Sequence, residues 1–329
     1  MRILHKIRTN LGVAKRIASK LGRSFWQKIY IMCDVIYCKM CMHCTFEEYQ
    51  IYEFYKYKNL YRRDFILQHH RNIDYSMINP YHFTMHKKEI YKLIQRGIHR
   101  ELLYLPEAGE EQFLAFVKKH KRVITKPDVG SCGKDIQAFE YSNDEQALAF
   151  FYSLKEESVC EEYIKQHEKM GTLNPSSVNS VRIVTLCRNG TVTFVSASLK
   201  SGGQKDTIVD NMHSKGVGAN VDMDTGVVTG LGYDYHEHSY IYHPVTGTQI
   251  VGFSIPFWSE TIELVKRTHL DVPQCPMLGW DVAITDNGPE IIEINGAPGP
   301  KLMQLMDQKP KRHYLRKYIK EYRVDNNKK

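Results

Sequence analysis

No acidic residue occurs before Asp34, although Arg2, Lys6, Arg8, Lys15, Arg16, Lys20, Arg23 and Lys28 all fall in that stretch. The chain also lacks an uninterrupted apolar run. The partly apolar stretch from Phe25 to Cys44 is broken by Lys28, Asp34 and Lys39, whereas a bilayer span needs about 20 mostly apolar residues in succession. Neither a secretory leader nor a spanning helix is expected, and the reading is a cytoplasmic protein. Low-complexity tracts and internal repeats are absent, which excludes disordered and solenoid classes. Outside the N-terminal stretch no basic stripe is interleaved with aromatics, so nucleic-acid binding is not expected. The net charge of +8 alone would not decide that, because it suits nucleic acid, anionic lipid or phosphorylated substrates equally.

The basic N-terminal stretch has apolar residues at Leu4, Ile7, Leu11, Ala14, Ala18, Leu21 and Phe25, which is helical spacing. Two readings are open. The helix packs on its own domain with a solvated basic face, or residues 1–28 lie on an anionic membrane, peripheral and not spanning. Of the eight cysteines, Cys38, Cys41 and Cys44 form C-x-x-C-x-x-C with Cys33 upstream. That spacing suits zinc or iron–sulfur ligation. The segment reads as a helix, however, and ligands three residues apart on a helix do not converge on one ion. Small buried hydrophobes are expected there instead.

Residues 1–105 read as a mainly helical N-terminal region, rich in aromatics from Tyr49 to Tyr61. From there the texture becomes α+β. Residues 106–165 alternate helix and strand: a helix Glu110 to Lys119, a strand Arg122 to Thr125, a helix Asp144 to Leu154 and a strand Ser158 to Ile164. Residues 166–329 read as a larger sheet, with hairpin signals at Arg188-Asn189-Gly190 and Asp286-Asn287-Gly288.

Three constellations carry chemistry. In the C-terminal hairpin, Glu293 and Asn295 project from one side of a strand, and the turn places Asp281 opposite or diagonal to Glu293. These oxygen ligands sit among Ile291, Ile292 and Ile294, where carboxylates are costly without a cation. With no His or Cys among them, magnesium or manganese is favoured, and nucleotide phosphates would complete the octahedron. The second is Lys126-Pro127-Asp128 at a strand end, followed by Gly130, Ser131, Gly133 and Lys134. Glycines there would let backbone N–H groups approach phosphate oxygens. Its spacing is neither a P-loop nor a dinucleotide fingerprint. The third is Glu161-Glu162-Tyr163-Ile164 with Glu168 downstream, suited to an adenine edge and ribose hydroxyls.

In this order the three constellations resemble the ATP-grasp superfamily. Ser177-Val178-Asn179-Ser180-Val181-Arg182-Ile183-Val184-Thr185, then Val209-Asp210-Asn211 and Gly216-Val217-Gly218, narrow the resemblance to the sugar-transfer-associated ATP-grasp family. It runs from about Asn79 to Pro300. The resemblance implies an ATP-grasp fold, with a small lid at 106–165, a larger catalytic sheet at 166–329 and a nucleotide cleft between them. It implies that Lys126 binds the α and β phosphates and that the Gly130–Lys134 loop covers the β and γ phosphates. Glu161, Glu162, Tyr163 and Ile164 would form the adenine hinge, Glu168 would hold the ribose, and Asn211 would join the nucleotide set. Asp281, Glu293 and Asn295 would bind magnesium. Arg182 and Lys200 would face an acyl phosphate, with Lys200 standing where arginine is more usual. Either Lys87 or Lys88 occupies the place of an earlier phosphate-binding lysine. The implied activity is an ATP-dependent carboxylate–amine ligase. It would join a sugar or polysaccharide precursor to an amino acid or sugar acid. An ATP-grasp kinase and an inactive scaffold for glycosyltransferases at the membrane are the alternatives.

Overall fold

The computed structural model describes residues 2–57, 59–79, 86–130, 135–154, 157–208, 210–236 and 238–326. The chain forms two compact units, Met1–Pro80 with Gly299–Lys329, and Tyr81–Pro298.

The first unit is helical. Its longer helices are Arg2–Leu21, Phe25–Cys41, Gln68–Ile78 and Arg312–Asn326. The aromatic run expected near residue 50 becomes its core: Tyr49, Tyr52, Phe54 and Phe65 are fully buried, with ring centroids 4.9 Å apart for Tyr52 and Phe65 and 5.2 Å for Phe54 and Phe65. Half-buried Asp34 accepts from Arg62 and from the Tyr49 hydroxyl, each at 2.7 Å. Thr45 and Glu48 form a reciprocal capping box that starts the helix Phe46–Ile51. Gln304 bonds both Ile66 N and Ile66 O, and Arg312 pairs with Asp74. Residues 299–326 therefore fold with the N-terminal helices rather than with the large sheet.

In the first helix Ala14, Ile17 and Ala18 are buried. At these positions the apolar stripe is used for packing, and the side chains of Leu4 and Ile7 lie outside the described ones. Cys38 and Cys44 are buried, while Cys33 and Cys41 are exposed. Two of the four thiols thus lie inside the unit and two on its surface. Burial pushes the Cys38 thiol up to about 11. Among the described residues no helix is long and apolar enough to cross a membrane.

The second unit holds two antiparallel sheets. The smaller contains β1 (Leu102–Tyr104), β2 (Arg122–Pro127), β3 (Gln137–Glu140) and β4 (Ser158–Glu162), in the order β1-β4-β2-β3. The helices Glu110–His120 and Asp144–Ser153 accompany it, with a core of Phe113, Phe116, Val117, Val123, Ala147 and Cys160. Strand β1 lies just N-terminal to the expected division at 105/106.

The larger sheet contains β5 (Ser180–Arg188), β6 (Thr191–Ser201), β7 (Val217–Asn220), β8 (Gly232–Tyr233), β9 (Ser239–Tyr240), β10 (Met277–Thr285) and β11 (Gly288–Asn295). Their order is β11-β10-β5-β6-β7-β8-β9. Asn189 and Gly190 both have positive φ, 49° and 74°. A two-residue primed turn between β5 and β6 requires this, and an Asn-Gly pair supplies it at little cost. Alternation along β10 separates two roles. Trp280 points to the helix Trp258–Leu270, where it meets His269 at 5.4 Å. It also donates to Thr185 at 2.8 Å. Its neighbour Asp281 points to the other face.

Candidate active site on one sheet face

The register of the large sheet aligns a row of side chains across four strands. Glu293 on β11 pairs with Asp281 on β10, Asp281 with Arg182 on β5, and Arg182 with Ser198 on β6. In the next row Ser180 pairs with Lys200. A β-bulge makes this alignment. From the turn, Thr285 pairs with Gly288 and Val282 with Ile291, but Asp281 pairs with Glu293, so Ile292 is extra. A regular hairpin would pair Asp281 with Ile292 and send Glu293 to the opposite face.

Within the row the charges are matched. Arg182 donates to both oxygens of Asp281 at 2.6 Å, through Nε and an Nη. Lys200 Nζ lies 3.2 Å from Asp281 and 3.1 Å from Asp210. Asp210 also accepts from the Ser180 amide at 3.1 Å and from the Ser180 hydroxyl. Burial alone would raise the pKa of Asp281, but Arg182 and Lys200 override it and hold the carboxyl well below its ordinary range. Burial works against the Lys200 cation too, yet Asp210 and Asp281 raise its pKa overall. Glu293 differs: burial, then the Asp281 charge, raises its pKa. It accepts no hydrogen bond among the described residues.

The smaller sheet brings more cations to the same place. Buried Lys126 on β2 donates to Glu161 on β4 at 2.9 Å. Lys87 donates to the carbonyl of Pro127 at 2.6 Å. The charges of Lys126 and Lys87 both reach Glu293. Burial lowers the Lys87 pKa, partly offset by Glu293. Lys88 turns away, pairing with exposed Glu107 and lying 4.5 Å from the Tyr104 ring centroid. Asp128 fixes this arrangement by capping the helix Lys87–Leu93 through Lys88 N at 3.1 Å and through His86.

Arg100 joins the two sheets, and sequence reasoning missed it. Its Nε donates to Glu161 at 2.8 Å and its Nη1 to Glu290 at 2.8 Å. It also donates to the carbonyls of Ile292, the extra residue of the bulge, at 3.1 Å and of Ile291, the one before it, at 2.9 Å. Tyr91 completes the set, donating to Glu161 at 2.6 Å. Burial would raise Glu161, but Arg100 and then Lys126 lower it to about 2. Nothing in the local sequence Ile98-His99-Arg100-Glu101 signals this role, because all its partners are remote in the chain. Asp210, by contrast, lay inside a motif already noted.

The third constellation spans from one sheet to the other. Glu161 turns its side chain inward to Lys126. Glu162 accepts from Glu101 N at 3.1 Å, and the Arg122 guanidinium lies 3.9 Å from the Tyr163 ring centroid. Ile164 is half-buried. The chain reaches the large sheet where His167 N donates to Ile284 O at 2.8 Å. Glu168 is exposed at the start of a short helix. Asn211 lies beside Asp210, its carbonyl accepting from Ser214 and Gly216. Gly130 is exposed at the end of the described part of its loop, and Ser131, Gly133 and Lys134 lie outside the described residues.

Asp281, Glu293 and Asn295 bring together oxygen donors, the chemistry a divalent cation takes, with both Asp281 oxygens engaged by Arg182. Asp281, Glu293 and Asn295 offer only oxygen-bearing side chains from one face. Asn295 Oδ1 already accepts from Ala297 N at 2.9 Å. Among the described residues no three His, Cys, Asp or Glu side chains cluster as an all-protein metal cage. Magnesium characteristically takes one or two carboxylates and completes its shell with water and phosphate.

Among solved structures the chain is similar to a D-cycloserine synthetase. They share 13% identity over 72% of this chain and 70% of that one, with a TM-score of 0.44. The ATP-grasp ligase PsnB, complexed with minimal precursor, Mg and ADP, shares 12% identity over 72% of this chain and 59% of that one, TM-score 0.43. A D-alanine–D-alanine ligase from Bacillus anthracis shares 15% identity over 74% of this chain and 67% of that one, TM-score 0.39. A search of curated proteins finds no match. The sequence model of the sugar-transfer associated ATP-grasp family covers residues 71–320, well over half of the chain and every charged residue of the row, and the chain belongs to that family.

Proposed function

We propose that the protein is an ADP-forming carboxylate–amine ligase. The γ-phosphate of ATP passes to a substrate carboxylate, giving an acyl phosphate and ADP. An amine then attacks the acyl carbon, and phosphate leaves with the amine proton released to solvent. A sugar or polysaccharide precursor, with an amino acid or sugar acid as its partner, is the substrate class that fits the family. The observation that carries the reading is the convergence of Lys87, Lys126, Arg182 and Lys200 around an Asp281–Glu293 pair. Triphosphate and carboxylate repel each other, so their approach needs fixed positive charge on both.

Asp281, Glu293 and Asn295 would hold magnesium, which when bound supplies positive charge to the phosphate oxygens. Lys126 is aimed by Glu161, and Lys87 by the Pro127 carbonyl. Both lysines would engage phosphates without reorganising. Arg182 and Lys200, steadied by Asp281 and Asp210, would face the carboxylate and its acyl phosphate.

Incubating the protein with ATP, magnesium and a panel of amino acids and sugar acids tests this. ADP and phosphate with an amide product are expected. AMP and pyrophosphate, or a stable phosphorylated hydroxyl, would contradict it. The two adjacent lysines are expected to differ, because Lys87 donates to the Pro127 carbonyl while Lys88 pairs with exposed Glu107. Lys87→Met should raise KM for ATP about tenfold to a hundredfold, the worth of one charge-assisted hydrogen bond. Lys88→Met should change it by less than about twofold, since its partner is an exposed surface acid. Equal effects from both variants would remove Lys87 from the site.

A further inference from the structure

The helix Phe25–Cys41 is apolar on both long faces. Ile31, Val35 and Cys38 are buried and do the packing. Phe25, Trp26, Ile29, Tyr30 and Met40 are exposed, and helical geometry gathers them into an arc of about 140° on the other side. An ordinary surface helix turns a polar face outward. Here Lys28, Asp34 and Lys39 only border the exposed apolar face, which runs about 22 Å from Phe25 to Met40.

The preceding helix packs against this one and leaves Arg8, Lys15, Arg16 and Lys20 exposed. Arg23 and Lys28, beside Phe25 and Trp26 in the chain, are exposed as well. The bend between the helices is tight: a Cβ on Gly22 would lie 2.8 Å from the Ala18 carbonyl oxygen. Ser24 caps the second helix by accepting from Gln27 N at 3.2 Å. The aromatic face is therefore held beside a tight bend in a hairpin whose exposed charges near that bend, Arg16, Lys20, Arg23 and Lys28, are all cationic.

We propose that this hairpin docks on the anionic surface of a phospholipid bilayer. Phe25, Trp26, Ile29, Tyr30 and Met40 enter the interfacial zone, where Trp and Tyr are favoured. Arg23 and Lys28 meet headgroups, and the cations of the adjoining helix extend the positive field. Charge complementarity selects this occupant. A second copy of the chain would bring two cationic hairpins together, whereas an anionic surface neutralises one. One of the two readings open from the sequence put a lipid-facing stripe within residues 1–28. In the folded chain Ala14, Ile17 and Ala18 are occupied by packing, and the free apolar face belongs to the second helix.

The full chain is to be sedimented with vesicles of equal parts phosphatidylglycerol and phosphatidylcholine, and with phosphatidylcholine alone. Pelleting with the anionic vesicles only, weakened by high salt, is expected. Combining Phe25→Ser, Trp26→Ser and Tyr30→Ser should lower partitioning by about three orders of magnitude, since burying each large apolar side chain contributes about a factor of ten. If that variant fails to fold, Arg23→Gln with Lys28→Gln decides, with a fall of about tenfold or more expected. Fluorescence gives a second readout. Trp26 is 76% exposed, while Trp258 and Trp280 are 7% and 0% exposed. Brominated lipid should therefore quench Trp26, and Trp26→Phe should lose the quenching but keep the binding. Equal pelleting of wild type and variants, or no quenching, overturns the proposal. So does a lipid-free wild-type dimer that the triple substitution converts to monomer. These measurements read binding alone and do not depend on the ligase activity.

Discussion

Replacing Arg100 with methionine should destabilise the two-sheet unit by about 3–5 kcal/mol, the usual cost of removing one partner from a buried ion pair. The substitution leaves the carboxylates of Glu161 and Glu290 buried without their guanidinium, and strips the donors from the Ile291 and Ile292 carbonyls. Methionine fills much of the volume, so the loss reports charge and hydrogen bonding rather than a cavity. Adding Glu290→Gln should recover part of it, because a neutral amide is cheaper to bury than an orphaned carboxylate. Chemical denaturation measures both. A loss below about 1 kcal/mol would mean that Arg100 does not hold the sheets.

The same variant has a pH signature. Glu161 has its pKa depressed from an ordinary 4.5 to about 2, chiefly by Arg100 against the effect of burial. Its ionised form stabilises the fold above pH 4.5, and that contribution disappears as pH falls through 4.5 toward 2. The stability gap between wild type and Arg100→Met should therefore narrow across that window. Without Arg100 the bulge loses its staple, and Glu293 loses the backbone geometry that sets it beside Asp281. Activity should fall together with stability.

Replacing Glu293 with glutamine should do the opposite to stability while removing function. Glu293 has a raised pKa from burial and from Asp281, so its ionised form opposes folding when no metal is bound. In metal-free buffer, wild-type stability should decline as pH rises from the ordinary glutamate range through the raised value. Glu293→Gln should lack that decline and melt at the same temperature or higher above it. Magnesium-dependent ADP formation should drop about a thousandfold, since losing one well-placed charge contact at a phosphoryl site is worth several kcal/mol. Near-normal turnover would remove Glu293 from the metal site. A large loss of metal-free stability would make it a structural residue instead.

Much of this was legible in the chain. Strand alternation put Glu293 and Asn295 on one side. Asn189-Gly190 announced its turn, because few dipeptides accept two positive φ angles. The lysine at the end of β2 and the acids of β4 lay in strands whose apolar texture marked them. These signals are local: each depends on a few neighbouring residues and on backbone sterics.

What the sequence determined by itself was therefore the family, the antiparallel strand pairs around the acid cluster, and the residue types that could carry phosphate and metal. Tertiary structure alone decided how those residues meet. The bulge at Ile292 depends on donors from Arg100, nearly two hundred residues earlier, and no periodicity encodes a contact at that range. Which way each of the adjacent Lys87 and Lys88 points, one to the Pro127 carbonyl and one to Glu107, is likewise set by packing of their helix. Which face of the N-terminal hairpin stays open was also settled by packing. Two helices each carried an apolar stripe; among the described residues Ala14, Ile17 and Ala18 of the first are buried, whereas Phe25, Trp26, Ile29 and Tyr30 of the second are exposed.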